Sequence, residues 1–480
     1  MKLRYLSLIL LMVSNSFGAV SASFTGGTPL VVQGTNTMSH LDVNSTGLLT
    51  NAGVTLSREF ISLQQVWANC PSPCTPSYTS IDGITTLAAA RGYKLIVSIE
   101  LTPPDLGASG CTPPSNNTTW ATRAAAAIAH VDGLHPGLVL YWEVGNEYDL
   151  TGQFCPGSGT NLQAYIPLYT AAGPAMIAQV VADSSTALVG GPVLGAPATN
   201  AAAWLSNAST GLLGNTGTAP SVQFVDYHSY LAGCTGTWTT CFNTLQDAGA
   251  GQQALASSIT TLVRAGTQPS ASTTPIFVTE SATSSAFSSD CCRNDATFGP
   301  LWDSISFMDW ANSKITQADQ YAAASSGSGT FFCLFWDPVT MTCSQPPLIP
   351  NSNFYFYQLV NSTSYLGAST GASLATSISP GTSTAGLQSS AFYTTTANVI
   401  IIANPTASPI STGTITFNNA TVSNTAGLMY TLNASNATAT PVRVSLTPIA
   451  GGFTAQAVSV PANTTVAFIA KSATLVPTAI

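Results

Sequence analysis

The hydrophobic positions of this chain fall in short apolar runs that alternate with longer, alanine-rich stretches. The apolar runs are rich in Val, Ile, Leu and Phe and predict strands at 30–34, 54–60, 95–101, 138–147, 188–194, 222–230, 276–280 and 330–336. Helical stretches lie between them, at 81–91, 120–131, 163–181, 252–264 and 301–313. Eight strands alternating with helices predict an α/β fold of the (β/α)8 TIM-barrel type. The competing fold is a doubly wound open sheet, but no G-x-G-x-x-G sequence follows the first strand.

The pattern changes at about residue 362. Helical periodicity ends there, Ser, Thr, Ala, Asn and Gly dominate, and short β-prone runs follow at 398–403, 414–417, 441–446 and 464–470. These runs predict an all-β sandwich, whereas a disordered Ser/Thr-rich tail is the alternative. We therefore expect a catalytic barrel over 23–361 and a β-sandwich domain over 362–480.

The first 22 residues have the three-part composition of a signal peptide. Lys2 and Arg4 form a basic start, residues 6–13 form an apolar middle, and the segment ends in small residues up to Ala22. The apolar middle is too short to cross a bilayer, so a membrane anchor is the weaker alternative. No later apolar run reaches about 18 residues. We therefore expect a secreted, extracellular protein with no membrane partner.

The mature chain is predicted to be acidic. The formal charge is −8, and removal of the two basic residues Lys2 and Arg4 changes it to −10. Nucleic acids, anionic membranes and highly sulfated polymers bind to basic surfaces, so this charge excludes them as expected partners.

All ten cysteines lie after the predicted signal peptide. An even number in an exported chain indicates disulfides, and short spacing favours Cys234–Cys241 and Cys333–Cys343 as two of the pairs. A zinc site is the alternative, but the chain has no C-x-x-C pair and no histidine cluster, so we expect no metal. Nine N-x-Ser/Thr sequons fit a glycosylated exported protein.

The glutamates have an unusual distribution along the chain. The sequence contains five of them, and each lies at or near the end of a predicted strand: Glu59, Glu100, Glu143, Glu147 and Glu280. Glutamate normally serves as a solvating residue on helix surfaces. Because TIM-barrel active sites form at the carboxyl ends of the strands, this distribution predicts a chemical role.

Glu147 and Glu280 end the fourth and seventh predicted strands, which face each other across the mouth of an eight-stranded barrel. Cleavage of a glycosidic bond needs one carboxylic acid to protonate the leaving oxygen and a second carboxylate to attack the anomeric carbon or activate water. We predict Glu147 as the acid/base, with a raised pKa, and Glu280 as the ionised nucleophile, with the carboxyl groups roughly 5–5.5 Å apart. The alternative is a pair of buried structural carboxylates.

Other residues at the predicted strand ends support this pair. Arg58 is placed to keep Glu280 ionised, or alternatively to pair with Glu59 or Glu143. Asn146 is a candidate for hydrogen bonding the sugar 2-hydroxyl. The remaining candidates orient Glu280 or the sugar, or form an apolar floor under a pyranose ring, with a purely structural role as the alternative; they are Tyr227, His228, Tyr230 and Trp336.

Two of these segments resemble known motifs. The sequence WEVGNEYDL at 142–150 resembles the W-E-x-G-N-E-P-D-L acid/base motif of clan A glycoside hydrolases and is most similar to family 79, which holds β-glucuronidases and heparanase-like enzymes. Tyr148 stands where that pattern has proline. The sequence VTESATSSAF at 278–287 resembles the family 79 nucleophile segment. Families 39 and 51 are near alternatives, and the likeness covers roughly 29–361.

The resemblance implies a barrel followed by a sandwich, hydrolysis with retention, no metal or organic cofactor, Glu147 as acid/base and Glu280 as nucleophile. We expect a monomeric, exo-acting enzyme that cleaves β-linked uronic acids from polysaccharide or glycoprotein glycans. Arg293 is the nearest basic residue after Glu280 and is a candidate for binding the uronate carboxylate. The alternatives are a neutral-sugar glycosidase of the family 39, 51 or 5 kind and a non-catalytic carbohydrate-binding surface protein.

Overall fold

The computed structural model describes residues 20–25, 32–36, 46–72, 74–219, 221–230, 251–266, 272–282, 298–321, 335–336, 349–350, 352–362, 373–375, 377–379, 387–422, 425–432 and 441–472. Its helices are α1 (Thr46–Asn51), α2 (Leu63–Val66), α3 (Thr79–Arg91), α4 (Asn117–Leu134), α5 (Asn161–Ala182), α6 (Pro197–Trp204), α7 (Gln252–Arg264), α8 (Phe298–Asn312) and α9 (Ser352–Asn361).

Eight strands form one parallel sheet. They are β2 (Val32–Asn36), β3 (Leu56–Ser62), β4 (Lys94–Glu100), β5 (Val139–Val144), β6 (Leu188–Gly190), β7 (Val225–Ser229), β8 (Ile276–Ser281) and β9 (Gln317–Tyr321), which follow β1 (Val20–Ser23) in the chain. Their order in the sheet is β6-β5-β4-β3-β2-β9-β8-β7. The two edge strands are consecutive in the chain, and the segments that contain them are hydrogen bonded, from Gln223 N to Val189 O (2.9 Å) and from His228 N to Leu194 O (2.8 Å). All eight carboxyl ends therefore lie on one side of this α/β unit.

Local sequence explains why helices separate these strands. Helix α4 begins where the Asn116 side chain accepts the Thr119 amide, and α5 begins with a capping box between Thr160 and Gln163. Helix α3 ends at Gly92, whose φ of 73° is left-handed. Each cap satisfies backbone groups that a helix end leaves unpaired.

Among the described residues, one helix, α5, is long and apolar enough to cross a membrane. It lies between β5 and β6 and packs beside α4, and its buried residues include Tyr165, Tyr169 and Met176. Its apolar side chains are therefore used in the core of the α/β unit.

Two large sheets, which we call the β unit, and two short ladders contain the remaining strands. They are β10 (Phe335–Trp336), β11 (Ile349–Pro350), β12 (Ser373–Leu374), β13 (Ser377–Ser379), β14 (Gln388–Tyr393), β15 (Ala397–Asn404), β16 (Ile410–Ser411), β17 (Ile415–Asn418), β18 (Thr425–Leu432), β19 (Val442–Val444), β20 (Leu446–Ile449), β21 (Gly452–Ala455), β22 (Ser459–Val460) and β23 (Thr464–Ser472). Strands β10 and β11 pair only with each other, as do β16 and β22. One large sheet has the order β13-β1-β17-β21-β20 and the other β12-β14-β15-β23-β18-β19.

The two large sheets share a hydrophobic core, to which Ile415 and Phe417 contribute from one sheet and Ile400 and Phe468 from the other. The six-stranded sheet also packs against the α/β unit. The rings of Phe307 on α8 and Phe392 on β14 lie 5.1 Å apart, and the hydroxyls of Ser304 and Thr465 are 2.7 Å apart. Alternation of side chains along each strand lets one sheet serve both cores.

The first strand of the β unit comes from the beginning of the chain. Strand β1 pairs in parallel with β17, and Val20 and Ala22 are 0% and 1% exposed. The predicted boundary between signal peptide and barrel, after Ala22, falls inside this strand, and the predicted sandwich at 362–480 lacks it. Its partner lies almost 400 residues further along the chain, a pairing that no local pattern reveals.

The eighth strand of the parallel sheet is also not where the pattern placed it. The prediction was 330–336, whereas the structure has β9 at Gln317–Tyr321, and Trp336 pairs with Ile349 in the short β10–β11 ladder. Strand β9 is polar, and Gln317 Nε2 donates to Asp319 Oδ1 (2.5 Å) with both side chains buried. A pattern based on apolar runs does not detect such a strand, because its buried side chains are polar and form hydrogen bonds.

Two disulfides lie in the described residues, Cys70–Cys74 and Cys111–Cys155. The second joins the loop after β4 to the loop after β5, both at the carboxyl side of the sheet. The predicted pairs Cys234–Cys241 and Cys333–Cys343 lie outside the described residues.

Candidate active site

Charged side chains from four strands converge at the carboxyl side of the parallel sheet. Arg58 comes from β3, Glu143 from β5, His228 from β7 and Glu280 from β8, and Glu147 follows β5. Arg58, Glu143 and His228 are fully buried, and Glu280 is 7% exposed. Buried charges need partners, so their mutual contacts decide what the site can do.

Glu147 does not continue the alternation of β5, because the strand ends at Val144. Gly145 and Glu147 both have left-handed backbones, with φ of 81° and 51°, and the Glu147 amide donates to Val193 O (3.0 Å). A side chain on Gly145 would meet the Tyr148 ring at 2.7 Å, and one on Gly195 would meet Glu147 Oε1 at 2.8 Å. Close packing in a strained turn therefore aims the Glu147 carboxylate, which is typical of functional sites.

Arg58 is the central cation of the site. Its Nε donates to both oxygens of Glu143 (3.0 and 2.9 Å), its Nη1 to Glu280 Oε1 (2.8 Å) and its Nη2 to Asn146 Oδ1 (2.9 Å). Burial acts to lower the pKa of Arg58, but Glu143 and Glu280 raise it above its ordinary value, so the guanidinium stays charged. Arg58 thus binds the predicted nucleophile and Glu143 together, and Glu59 instead accepts from Ser57.

The two predicted catalytic carboxylates lie close together. One oxygen of Glu147 and one of Glu280 are within 4.8 Å of each other, and a nitrogen of His228 is within the same distance of both. His228 Nδ1 lies 2.8 Å from Glu147 Oε1 and 3.4 Å from Glu280 Oε2, and the Tyr230 hydroxyl donates to Glu280 Oε2 (2.5 Å). This separation is short of the roughly 6.5–9.5 Å typical of inverting glycosidases and close to the retaining distance.

The pKa of Glu147 differs from the expectation. Burial raises it, but the hydrogen bond and charge of His228, together with the charge of Arg58, outweigh burial and leave the pKa below its ordinary value. The raised pKa predicted from the sequence follows from burial and the charge of Glu280 alone. In the free protein, the contact with His228 at 2.8 Å changes the net shift of the Glu147 pKa from upward to downward.

Replacing His228 with phenylalanine is expected to raise the pKa of Glu147, because burial is then no longer offset by the hydrogen bond and charge of His228. A general acid must be protonated to act, so the limb of the kcat/KM profile that falls with rising pH moves to higher pH. His228→Asn is the matched control, because its amide nitrogen replaces the donor at Nδ1. An unmoved limb in the phenylalanine variant contradicts this role for His228.

Asp226 was not among the residues predicted from the sequence, and it lies next to Glu143 and Arg58 in the site. It is fully buried on β7, its Oδ1 accepts from Val193 N (2.8 Å), and burial together with its contact to Glu143 raises its pKa well above the ordinary value. Burial and the neighbouring Glu143 therefore both favour the uncharged form of the Asp226 carboxyl. Its position two residues before His228, on the same face of the strand, was the available signal.

Tyr227, one of the predicted site residues, does not join this cluster. Tyr227 points to the opposite face of β7 from His228 and lies in the hydrophobic core, so its predicted role in orienting Glu280 or the sugar is wrong. Trp336 does not end a strand of the parallel sheet. Arg293 lies outside the described residues.

A cavity of about 300 Å³ opens beside Glu147. Its lining includes Glu147, His228 and Tyr230 on one side, and Leu150, Leu255 and the loop at 195–199 on the other. Because Glu147 lies in its wall, a ligand in this cavity can present an oxygen to the carboxyl group.

Glu147, His228 and Glu280 also form a donor set that fits a divalent metal. Their ligating atoms are already bonded, however, since His228 Nδ1 contacts Glu147 and Glu280 contacts Arg58 and Tyr230. Each of these three side chains therefore already has a hydrogen-bonding or ion-pair partner within the protein. Cys70, Cys74 and Asp105 form a second cluster, but there the two sulfurs are joined in a disulfide.

The fold is similar to solved structures of glycoside hydrolases. A family 30 subfamily 8 xylanase from Clostridium acetobutylicum aligns with a TM-score of 0.63 at 15% identity, over 95% of this chain and 100% of the xylanase. A family 39 enzyme from Xanthomonas axonopodis pv. citri has a TM-score of 0.63 at 13% identity, over 95% and 97%. A monomeric β-xylosidase from Caulobacter crescentus has a TM-score of 0.63 at 12% identity, over 95% and 100%.

No protein-family model matches the chain, and neither does any curated protein. At 12–15% identity the structural likeness shows the fold alone. The chain has the α/β-plus-β architecture of these glycosidases, and family 39 was among the alternatives named from the motifs. The assignment to family 79 remains a prediction.

Proposed function

We propose that this protein is a retaining β-glycoside hydrolase that works by double displacement, with Glu147 as acid/base and Glu280 as nucleophile. The observation that carries this proposal is the approach of the two carboxylates within 4.8 Å, with Arg58 bonded to one and His228 to the other. The proposal includes closure of the eight parallel strands into a (β/α)8 barrel and packing of the β unit as a sandwich.

In the first step, Glu280 attacks the anomeric carbon and the bond to the leaving oxygen breaks as Glu147 gives that oxygen its proton. Arg58 and Tyr230 bind Glu280 and orient it for this attack. In the second step, Glu147 takes a proton from water, the water oxygen attacks the anomeric carbon, and Glu280 is released.

Asn146 completes the arrangement. Its Oδ1 is held by Arg58, which directs its amide group for donation to the sugar 2-hydroxyl. Such a contact strengthens in the transition state. Arg58 would then fix the nucleophile and the sugar-binding amide with one side chain.

The sugar class remains a choice between two candidates. Resemblance to family 79 favours a β-linked uronic acid released by exo action, whereas the structural likeness to a xylanase and a β-xylosidase favours a neutral pentoside. We further propose that the chain is exported, monomeric and free of metal, as its composition and the resemblance suggest.

Hydrolysis of a panel of 4-nitrophenyl β-glycosides tests the proposal, with proton NMR of the first sugar formed. We expect the β-anomer first, no effect of a chelator, and a 2-fluoro glycoside label on Glu280. The α-anomer first, or a label elsewhere, contradicts double displacement at Glu280. Failure to cleave any glycoside favours the carbohydrate-binding alternative.

A further inference from the structure

A further carboxyl group, that of Glu100, lies at the same end of the sheet and has no part in the mechanism above. Glu100 ends β4, in register with Ser62 and on the same face as Ser98, whose hydroxyl donates to Gly145 O (2.9 Å). Arg58 lies opposite Ile96 in the same register, so Glu100 is four residues nearer the rim. Its charge interacts with Arg58, Glu143, Glu147 and Glu280.

The Glu100 carboxyl has no hydrogen-bond or ion-pair partner among the described residues, although the side chain is largely buried. Burial, opposed by Arg58 and aided by the neighbouring carboxylates, raises its pKa to about 7. A carboxyl that is desolvated, unpaired and next to the reacting groups is a candidate for contact with substrate.

The backbone beside Glu100 is held in place. Leu101 has a left-handed φ of 63°, its amide donates to the Tyr148 hydroxyl (2.8 Å), and its carbonyl accepts from Trp120 Nε1 (3.0 Å). Tyr148 stacks on Phe154 at 4.4 Å. Tyr148 is the residue that stands in place of proline in the acid/base motif, so this departure from the pattern holds the backbone next to Glu100.

Among the described residues, the lysines and arginines provide no partner near Glu147 and Glu280 for the carboxylate of a uronic acid. All three nitrogens of Arg58 are bonded to Glu143, Glu280 and Asn146, and Arg58 is fully buried. Arg123 binds Asp105. The other described lysines and arginines lie at the amino side of the parallel sheet or in the β unit: Arg91, Lys94, Arg264, Lys314, Arg443 and Lys471.

We propose that Glu100 is a specificity-determining residue that contacts the hydroxyls of the sugar bound between Glu147 and Glu280, and that it makes this site select a neutral glycone over a uronate. This inference rests on the proposed function and deepens it. A carboxylate accepts two hydroxyl hydrogen bonds, and it repels a second carboxylate placed against the same group of acids.

The test compares kcat/KM for 4-nitrophenyl β-xyloside, β-glucoside and β-glucuronide above pH 7. We expect the wild type to favour a neutral glycoside. In Glu100→Gln, the best neutral substrate is expected to lose about 10-fold to 100-fold, the scale of a hydrogen bond to a charged group. The ratio of glucuronide to neutral activity is expected to rise by about the same factor.

Two variants serve as controls. Asp82→Asn removes one negative charge on α3 and is expected to leave the ratio unchanged. Glu100→Asp keeps the charge and is expected to keep the wild-type ratio, which tests the idea even if Glu100→Gln is unstable.

The pH dependence of the ratio is a second readout. Glu147 and Glu280 act on both substrates alike, so their titrations cancel in the ratio, as do the effects of Arg58, Glu143 and Tyr148. The ratio of glucuronide to neutral activity should fall in the wild type as pH rises through about 7, where Glu100 ionises, and stay flat in Glu100→Gln.

Failure of the Glu100 proposal and failure of the proposed glycosidase function give different results. Preference of the wild type for the glucuronide, or an unchanged ratio in Glu100→Gln, overturns the role of Glu100 while leaving the glycosidase intact. Loss of glucuronide activity in Arg293→Gln would place the uronate site there instead. Absence of all hydrolysis refutes the proposed function itself.

Discussion

Replacement of Glu280 by glutamine lowers kcat/KM for an aryl β-glycoside by roughly 10⁴-fold to 10⁶-fold, the order of loss when a covalent nucleophile is removed from an enzyme. The amide keeps an oxygen for Arg58 Nη1, but it carries no charge and cannot form the glycosyl–enzyme bond. The measurement is kcat/KM on purified protein with an unchanged circular dichroism spectrum. Retention of more than about a tenth of the activity rules out Glu280 as nucleophile.

Chemical rescue distinguishes a lost nucleophile from general damage to the site. In Glu280→Gly, azide occupies the vacated space and attacks the anomeric carbon from that face, opposite the leaving group. The expected product is the α-glycosyl azide, identified by NMR. A β-glycosyl azide from this variant would assign the opposite role to Glu280.

Replacement of Glu147 by glutamine has the second largest expected effect, about 10²-fold to 10⁴-fold, and this effect depends on the leaving group. A 2,4-dinitrophenolate leaves without a proton, so formation of the glycosyl–enzyme should be nearly normal and its hydrolysis slow. An alkyl β-glycoside needs the proton and should lose most of its activity. Rapid-quench measurement should show a burst of dinitrophenolate followed by slow turnover.

The control for Glu147 uses the same anion. In Glu147→Ala, azide attacks the glycosyl–enzyme from the side of the departed leaving group, so the expected product is the β-glycosyl azide. Equal losses for the dinitrophenyl and alkyl substrates would show that Glu147 does not protonate the leaving oxygen.

The contact between His228 Nδ1 and Glu147 Oε1, 2.8 Å long, lowers the pKa of the Glu147 carboxyl in the free protein. A sugar bound next to Glu147 would exclude water and strengthen the desolvation that raises this pKa. We therefore expect substrate binding to favour the acid form of Glu147 that the first step needs.

Several elements could be read from the sequence because they depend on neighbouring residues. The seven apolar strands of the parallel sheet lie within a few residues of their predicted bounds, since burial selects Val, Ile and Leu locally. Glu147 and Glu280 stood out because a chain with only five glutamates places them at strand ends. Arg58 was identified as a cation near the carboxylates, although the pattern left its partner open.

Other features depend on which strands become neighbours. Strand β9 is polar and was passed over, and β1 joins a sheet whose partner strand lies almost 400 residues away. The lowered pKa of Glu147 and the raised pKa of Asp226 follow from distances of a few ångströms between side chains on different strands. Coulomb and hydrogen-bond energies vary steeply with such distances, which no spacing along the chain supplies.

The sequence by itself determined the alternation of strands and helices and the two acidic groups available for chemistry, because both are recorded in residue type and local order. Only the tertiary structure decided that Arg58 binds Glu143, Glu280 and Asn146 together, and that Glu100 is left unpaired beside them among the described residues. Folding brings these charges out of water into contact, and their energies then depend on separation and burial rather than on position in the chain.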